Sequence, residues 1–173
     1  MSKILVALPL TAERFSRYGE VIEAVATQKQ AMNNARFERF NDLAAVDVGV
    51  ATGGRTAISI ARCRTATSFP VPLDMLERHP DSSQTFMPLS RFVFVVVVAP
   101  AGESVDPDEI AAFVTNGRQG INYHKGVWHM PMVATQPGQE FLVIDRGVDQ
   151  GGDKAKGPDC EEYYLAEPIL LET

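Results

Sequence analysis

Apolar and polar residues alternate over short stretches of this chain, and the period is that of a strand rather than a helix. Ile4 to Leu8 opens the series. Thr11 offers an N-cap for a short helix to about Tyr18, ended by Gly19, and Glu20 to Ala24 reads as the next strand. Lys29 to Asn34 is polar without a period and reads as loop, whereas Arg36 to Phe40 alternates aromatic and charged residues like a half-buried strand. Gly53-Gly54 makes a turn before Thr56 to Arg62, in which Ala57, Ser59 and Ala61 alternate with Ile58, Ile60 and Arg62. Phe92 to Val98 is almost wholly β-branched or aromatic, the composition of a strand buried on both faces. Asp106 before Pro107 puts a capping side chain ahead of a proline at the first helical position, which predicts a helix to about Val114, stopping before Asn116-Gly117. Phe141 to Asp145 and Tyr163 to Ala166 complete the strands, with Gly151 to Pro158 a polar loop between them.

Roughly eight to eleven short strands against two helices, with turn residues every several positions, suit an antiparallel sandwich or barrel rather than a βαβ array. The chain has 173 residues and shows neither repeat nor low-complexity linker, so residues 1–173 read as one domain with room for a real core. No GxGxxG turn, P-loop or GxSxG elbow is present, and the usual nucleotide and serine-hydrolase readings lack support. Sixteen Lys and Arg against twenty-two Asp and Glu give a formal charge of -6, which argues against nucleic acid as a partner but not against a small anionic substrate. Cys63 and Cys160 lack CxxC spacing and an adjacent base, so neither a disulfide framework nor a thiolate nucleophile is expected. The apolar start is too short for a secretory h-region, and Phe92 to Pro100 is about half of a membrane span. No membrane association and a cytoplasmic address are expected.

The chemistry concentrates in two segments, Glu77 to Pro88 and Gly120 to Pro131, which hold all three histidines, His79, His124 and His129. On a strand, Glu77 and His79 share one face, and inside a barrel such a polar pair is costly unless it is hydrogen-bonded or functional. Glu77 has the bland alternative of an ion pair with Arg78, and Trp128 that of a packed wall. His124 shares strand parity with Asn122 and opposes His129, although a bend at Gly126 would reset the face. Arg146, beside Asp145, suits a bidentate grip on a carboxylate, and Lys125 is the alternative cation.

The spacing of Glu77, His79 and Gln84 resembles the first cupin motif, and Gly126-Val127-Trp128-His129 the end of the second. The substitutions at Glu77 and Gln84 remove a histidine and an anionic ligand, so a divalent ion held by Glu77, His79, Gln84 and His129 would be weak and exchangeable, if bound at all. More specifically, Glu77-Arg78-His79-Pro80 through Gln84 and Pro88, Asn122-Tyr123-His124 through Val127-Trp128-His129, and Phe141 to Arg146 are similar to signature stretches of the ureidoglycolate lyase family. The likeness runs nearly end to end and includes Tyr18 to Ile22 and Phe113 to Gly117; it weakens at Asp159-Cys160, where Asn-Cys is expected.

The resemblance implies a cupin-like antiparallel β-barrel or jelly roll with a few peripheral helices. It also implies a homodimer and the cleavage of ureidoglycolate to glyoxylate and urea during allantoin degradation. That reaction needs a base for the hydroxyl proton and an acid for the departing nitrogen, and His129 and Glu77 are the expected pair. His79 and Gln84 are expected to position the hydroxyl or ureido group, and Arg146, Asp145, Tyr123, His124 and Trp128 to contact substrate. Three alternatives stay open: an amidohydrolase acting on the same substrate, a cupin-type metalloenzyme for another small acid, and a non-catalytic binding barrel.

Overall fold

The computed structural model describes residues 3–25, 29–147 and 159–173. Its strands are β1 (Ile4–Val6), β2 (Leu8–Pro9), β3 (Gly19–Ile22), β4 (Lys29–Met32), β5 (Phe37–Phe40), β6 (Arg55–Arg62), β7 (Val71–Arg78), β8 (Gln84–Pro88), β9 (Phe94–Ala99), β10 (Ala111–Val114), β11 (Gly120–Tyr123), β12 (Trp128–His129), β13 (Val133–Ala134), β14 (Glu140–Gly147) and β15 (Glu161–Glu172). The single α-helix among the described residues, α1 (Ala12–Phe15), is one turn long. The Thr11 side chain caps it by accepting from Arg14 N–H, and Phe15 anchors it in the core.

Eight strands form one sheet in the order β1-β15-β7-β12-β9-β10-β2, with β13 also on β9. Its two outermost strands are consecutive in the chain, so the sheet curls until residues 4–9 nearly bridge its ends. The pairings β1–β15 and β2–β10 are parallel, and the other pairings are antiparallel. A second sheet, β3-β11-β8-β14-β6, packs on the first. This is the expected cupin-like, mainly β architecture. No helix among the described residues is long and apolar enough to cross a membrane.

β9 explains the arrangement. Phe94, Val96 and Val98 point between the two sheets to meet Phe86, Ile121, Phe141 and Val143, while Val95 and Val97 point the other way to meet Leu73, Leu76, Trp128 and Leu171. Every residue of β9 is buried, as a strand without a polar face must be. Two cores thus share one wall, and the polar cluster described below caps the core between the sheets.

Two local expectations fail. Asp106 does accept from Asp108 N–H ahead of Pro107, but the result is one 3-10 turn, Pro107–Glu109, and Ala111–Val114 enters the sheet as β10. Pairing with β9 on one side and β2 on the other, with Ala112 and Phe113 buried, outweighs the local cap. Lys29 to Asn34 is not loop throughout, because β4 pairs with β5 as an exposed two-stranded ribbon whose polar side chains conceal the pairing. The expected loop at Gly151 to Pro158 lies outside the described residues.

Candidate active site

β7 and β12 lie side by side with His129 directly opposite Glu77, which places both side chains on the face between the sheets. His129 Nδ1 lies 3.0 Å from the Val127 carbonyl. A carbonyl only accepts, so Nδ1 carries a proton and Nε2 is the nitrogen left for chemistry. That Nε2 is buried, has no hydrogen-bond partner and stands 3.5 Å from Glu77 Oε1. Two lone pairs at such a distance repel unless a proton or cation lies between them, so the pair is built to share one. Tyr123 fixes the ring by stacking on it at 4.3 Å and 16°. Burial and the Glu77 charge push the Tyr123 hydroxyl far up, so it stays a neutral donor.

The His79 ring lies 5.4 Å from that of His129, and its Nε2 is likewise buried without a partner. Ligand atoms of Glu77, His79 and His129 all fall within 4.8 Å of one another. Burial would raise the Glu77 carboxyl, but the neighbouring imidazoles of His129 and His79 and the Cys160 thiol together hold it below its ordinary value.

On the second sheet, Gln84 at the start of β8 bonds to Asp145 on β14 and leaves its own Oε1 buried and unpartnered. Burial pushes the Asp145 carboxyl up, against the opposing pull of Gln84 and His79, and nearby Asp159 adds to the rise. Among the described residues, three buried side-chain polar atoms lack a hydrogen-bond partner, His79 Nε2, His129 Nε2 and Gln84 Oε1, and all three belong to this cluster. Native interiors seldom leave such atoms bare, so the cluster is shaped for something that binds.

The other expected contacts lie elsewhere. Arg146 neighbours Asp145 but points to the opposite face of β14, where its guanidinium donates to the carbonyls of Val48, Gly49 and Thr52. It fastens the 48–52 loop rather than facing the cluster. A Cβ on Gly49, whose φ is 62°, would collide with that guanidinium and with the Asp81 carbonyl. Trp128 belongs to the second core, donates to the Gly102 carbonyl and lies under Arg78, so it is a wall. Arg78 pairs with Glu161 rather than Glu77, which removes the bland account of Glu77. His124 sits past the end of β11, half exposed, 3.2 Å from Glu20, and Lys125 lies 3.7 Å from Asp47.

Two neighbours escaped the sequence reading. The Cys160 thiol lies 3.6 Å from Glu77 Oε2, and the buried Asp159 carboxylate lies 3.5 Å from His79 Nδ1. Both come from just before β15, about eighty positions after Glu77, and only the β7–β15 pairing brings them in. The one available signal was the adjacency of an acid and a thiol at the departure Asp159-Cys160.

Comparison with known proteins places nearly the whole chain in one family. The family model described as ureidoglycolate lyase matches residues 2–172. A ureidoglycolate lyase of Pseudomonas savastanoi is 41% identical over 171 residues, covering 99% of this chain and 95% of that protein. One from Escherichia coli is 45% identical over 157 residues, covering 91% of this chain and 96% of that protein. One from Stutzerimonas stutzeri is 41% identical over 169 residues, covering 98% and 94% respectively.

Proposed function

The chain belongs to the ureidoglycolate lyase family, and on that premise we propose that it cleaves ureidoglycolate to glyoxylate and urea. The observation that carries the reading is the Glu77–His129 pair, 3.5 Å apart in a buried polar cluster with unmet hydrogen-bonding capacity.

Ureidoglycolate is a carbinolamide, with hydroxyl, carboxylate and ureido nitrogen on one carbon. As the C–N bond breaks, the hydroxyl C–O becomes a carbonyl, one proton leaves the hydroxyl and another joins the departing nitrogen. Two groups holding one proton between them serve this chemistry, since one accepts while the other donates and the site ends with the count it began with. Glu77 and His129 take those roles. Gln84 Oε1 and the Asp145 carboxylate offer acceptors to the ureido N–H groups, and His79 Nε2 faces the same space. No covalent intermediate is needed, so neither cysteine has to act as a nucleophile.

The donor set also fits a divalent cation. Glu77, His79 and His129, with Gln84 Oε1, would hold it through one carboxylate, two imidazoles and an amide. Such an ion supplies Lewis-acid polarisation of a substrate oxygen when bound. With one anionic ligand in the set, it would be held weakly and exchangeably.

The test is incubation with racemic ureidoglycolate, measuring urea, ammonia and glyoxylate together against spontaneous decay. Equal urea and glyoxylate are expected. Ammonia as the main product would move the assignment to the amidohydrolase, and no acceleration would move it to a binding barrel.

A second copy of the chain is the proposed partner. Ile58 and Ile60 on β6 are 70% and 56% exposed, and they face Ile144 and Leu142 across the β6–β14 pairing on one surface. Such an edge strand is normally covered or made charged. Ile60→Glu should convert a dimer to monomer in sedimentation equilibrium; a monomeric parent protein would refute the dimer.

A further inference from the structure

We infer that Asp159 is a positioning residue for His79, holding the ring in the tautomer whose Nε2 lone pair faces Glu77 and His129. The inference rests on the reading of that cluster as the reaction site.

The geometry assigns the two carboxylate oxygens different duties. Oδ2 accepts from the Asp81 backbone N–H at 3.1 Å and from the Ser82 hydroxyl at 3.0 Å. These two bonds lock the carboxylate against the turn that follows His79 and leave Oδ1 toward the ring, 3.5 Å from Nδ1. That distance is long, as orienting contacts commonly are before a ligand tightens the site. The Asp159 side chain is only 4% exposed, so bulk water does not compete for the ring N–H. A carboxylate accepts and cannot donate, so Nδ1 carries the proton and Nε2 is left as acceptor or ligand. The backbone adds a second restraint, because the His79 carbonyl accepts from Gly126 N–H at 2.9 Å.

His79 and His129 are therefore held alike by different means. His129 gives its Nδ1 proton to a backbone carbonyl and His79 gives its own to a buried carboxylate, and both present an unpartnered Nε2 to one space. A carboxylate or carbonyl behind a histidine is the usual device for fixing ring orientation and tautomer. Without Asp159 the ring loses this acceptor at Nδ1 and can carry its proton on Nε2, where it would block the face turned to substrate.

The test has a readout that does not depend on turnover. ¹⁵N-histidine spectra of the full chain, with the His79 resonances assigned through His79→Gln, should show His79 as a single species protonated at Nδ1. Asp159→Ala should shift that signal toward the Nε2–H form or an exchanging mixture. It should also lower kcat by about 10–100-fold while KM stays within about threefold. Asp159→Asn keeps an oxygen that can accept, so it should restore the Nδ1–H signal and bring kcat to within about fivefold of the parent. Ser82→Ala removes one of the two bonds that lock this carboxylate, and should shift the tautomer and lower kcat in the same direction as Asp159→Ala but by less. A parent protein with His79 protonated at Nε2 would overturn the inference, as would an Asp159→Ala protein with unchanged tautomer and kcat. A parent protein that releases no urea, yet shows the Nδ1–H signal, would sink the proposed function and leave this assignment standing.

Discussion

Asp145 and Arg146 are adjacent on β14, the first half-buried and the second buried, yet they meet opposite fates. Asp145 turns into the space between the sheets, where its partner Gln84 still has an oxygen without a bond and burial pushes its own proton affinity up. Arg146 turns outward and gives its guanidinium to three loop carbonyls. One side of the strand carries unmet capacity, and the other carries capacity fully met within the chain. A polar group that the fold satisfies is holding the fold together; one that the fold buries and leaves wanting is held ready for something else. Mutation should separate the two sides, one through rate and the other through stability.

The largest effect belongs to the unmet side. His129→Asn and Glu77→Gln should each lower the rate of urea and glyoxylate release by about 10²–10⁴-fold, the usual contribution of a general acid or base. Both proteins should still melt cooperatively, because neither side chain fills either core. Near-parental turnover in His129→Asn would place the acid–base pair elsewhere and erase the contrast between the two sides.

Arg146 should show the reverse. Replacement by Met leaves three carbonyls short of a donor, and a cost of about 3 kcal/mol follows if each loses roughly 1 kcal/mol. For a chain of this size that lowers Tm by about 6–12 °C. Arg146→Lys keeps the charge but not the forked donors, and should fall between the parent and Met. In both proteins the folded fraction should keep its KM for ureidoglycolate. A KM increase of tenfold or more without loss of Tm would return Arg146 to the role of carboxylate clamp.

That Arg146 points away from the cluster and Glu77 into it comes down to parity. The two-residue spacing of Glu77 and His79 and the Gly126-to-His129 interval are local patterns, and local patterns survive folding: both histidines and the glutamate meet. Strand alternation also states that Asp145 and Arg146 point apart, but not which of them points in. That choice depends on the loop at 48–52, with its carbonyls waiting for Arg146, and no pattern near residue 146 announces it. Asp159 was illegible for a similar reason, since its relation to His79 exists only through the long β15 beside β7. The fold was easier to read. The β-branched run at residues 92–98 could lie only between two cores, whereas the capped Asp106-Pro107 start was a true signal that sheet pairing cut short after one turn.

A smaller effect concerns pH. Because burial raises Asp145 in the folded chain, its folded pKa lies above the unfolded one. Such a group favours folding while protonated, below the unfolded value of about 3.9, and that favour is lost as pH rises through the folded pKa. At neutral pH the ionised Asp145 is then a liability, and Asp145→Asn should raise Tm slightly at pH 7 and give no gain near pH 3.5. Glu77 and Asp159 run the other way, since both are held low. Their contribution is present above the unfolded carboxylate range and fades as pH falls through their folded values. The parent protein should accordingly lose stability on acidification, and Asp145→Asn should lose it more steeply, because it lacks a carboxyl that gains. Scanning calorimetry at several pH values tests both signs; a Tm that falls at pH 7 on Asp145→Asn would contradict the first.

The smallest effect is expected at His124, five residues from the most sensitive position in the chain. It lies past the end of β11, its side chain 44% exposed and 3.2 Å from Glu20 Oε1, in a pair that water and salt can screen. The chain turns between the two histidines at Gly126, whose φ is 74°, yet the turn does not swing His124 toward the cluster, because its backbone N–H is tied to the Tyr18 carbonyl. His124→Asn should therefore change turnover by less than about threefold and stability by no more than about 1 kcal/mol, the upper range for an exposed polar pair. Steady-state kinetics beside His129→Asn make the comparison direct. If His124→Asn were the inactive protein and His129→Asn the active one, unmet hydrogen-bonding capacity would be the wrong criterion for locating this site, and the pocket that Glu20, Asp42, Leu43 and His124 help to line would take its place.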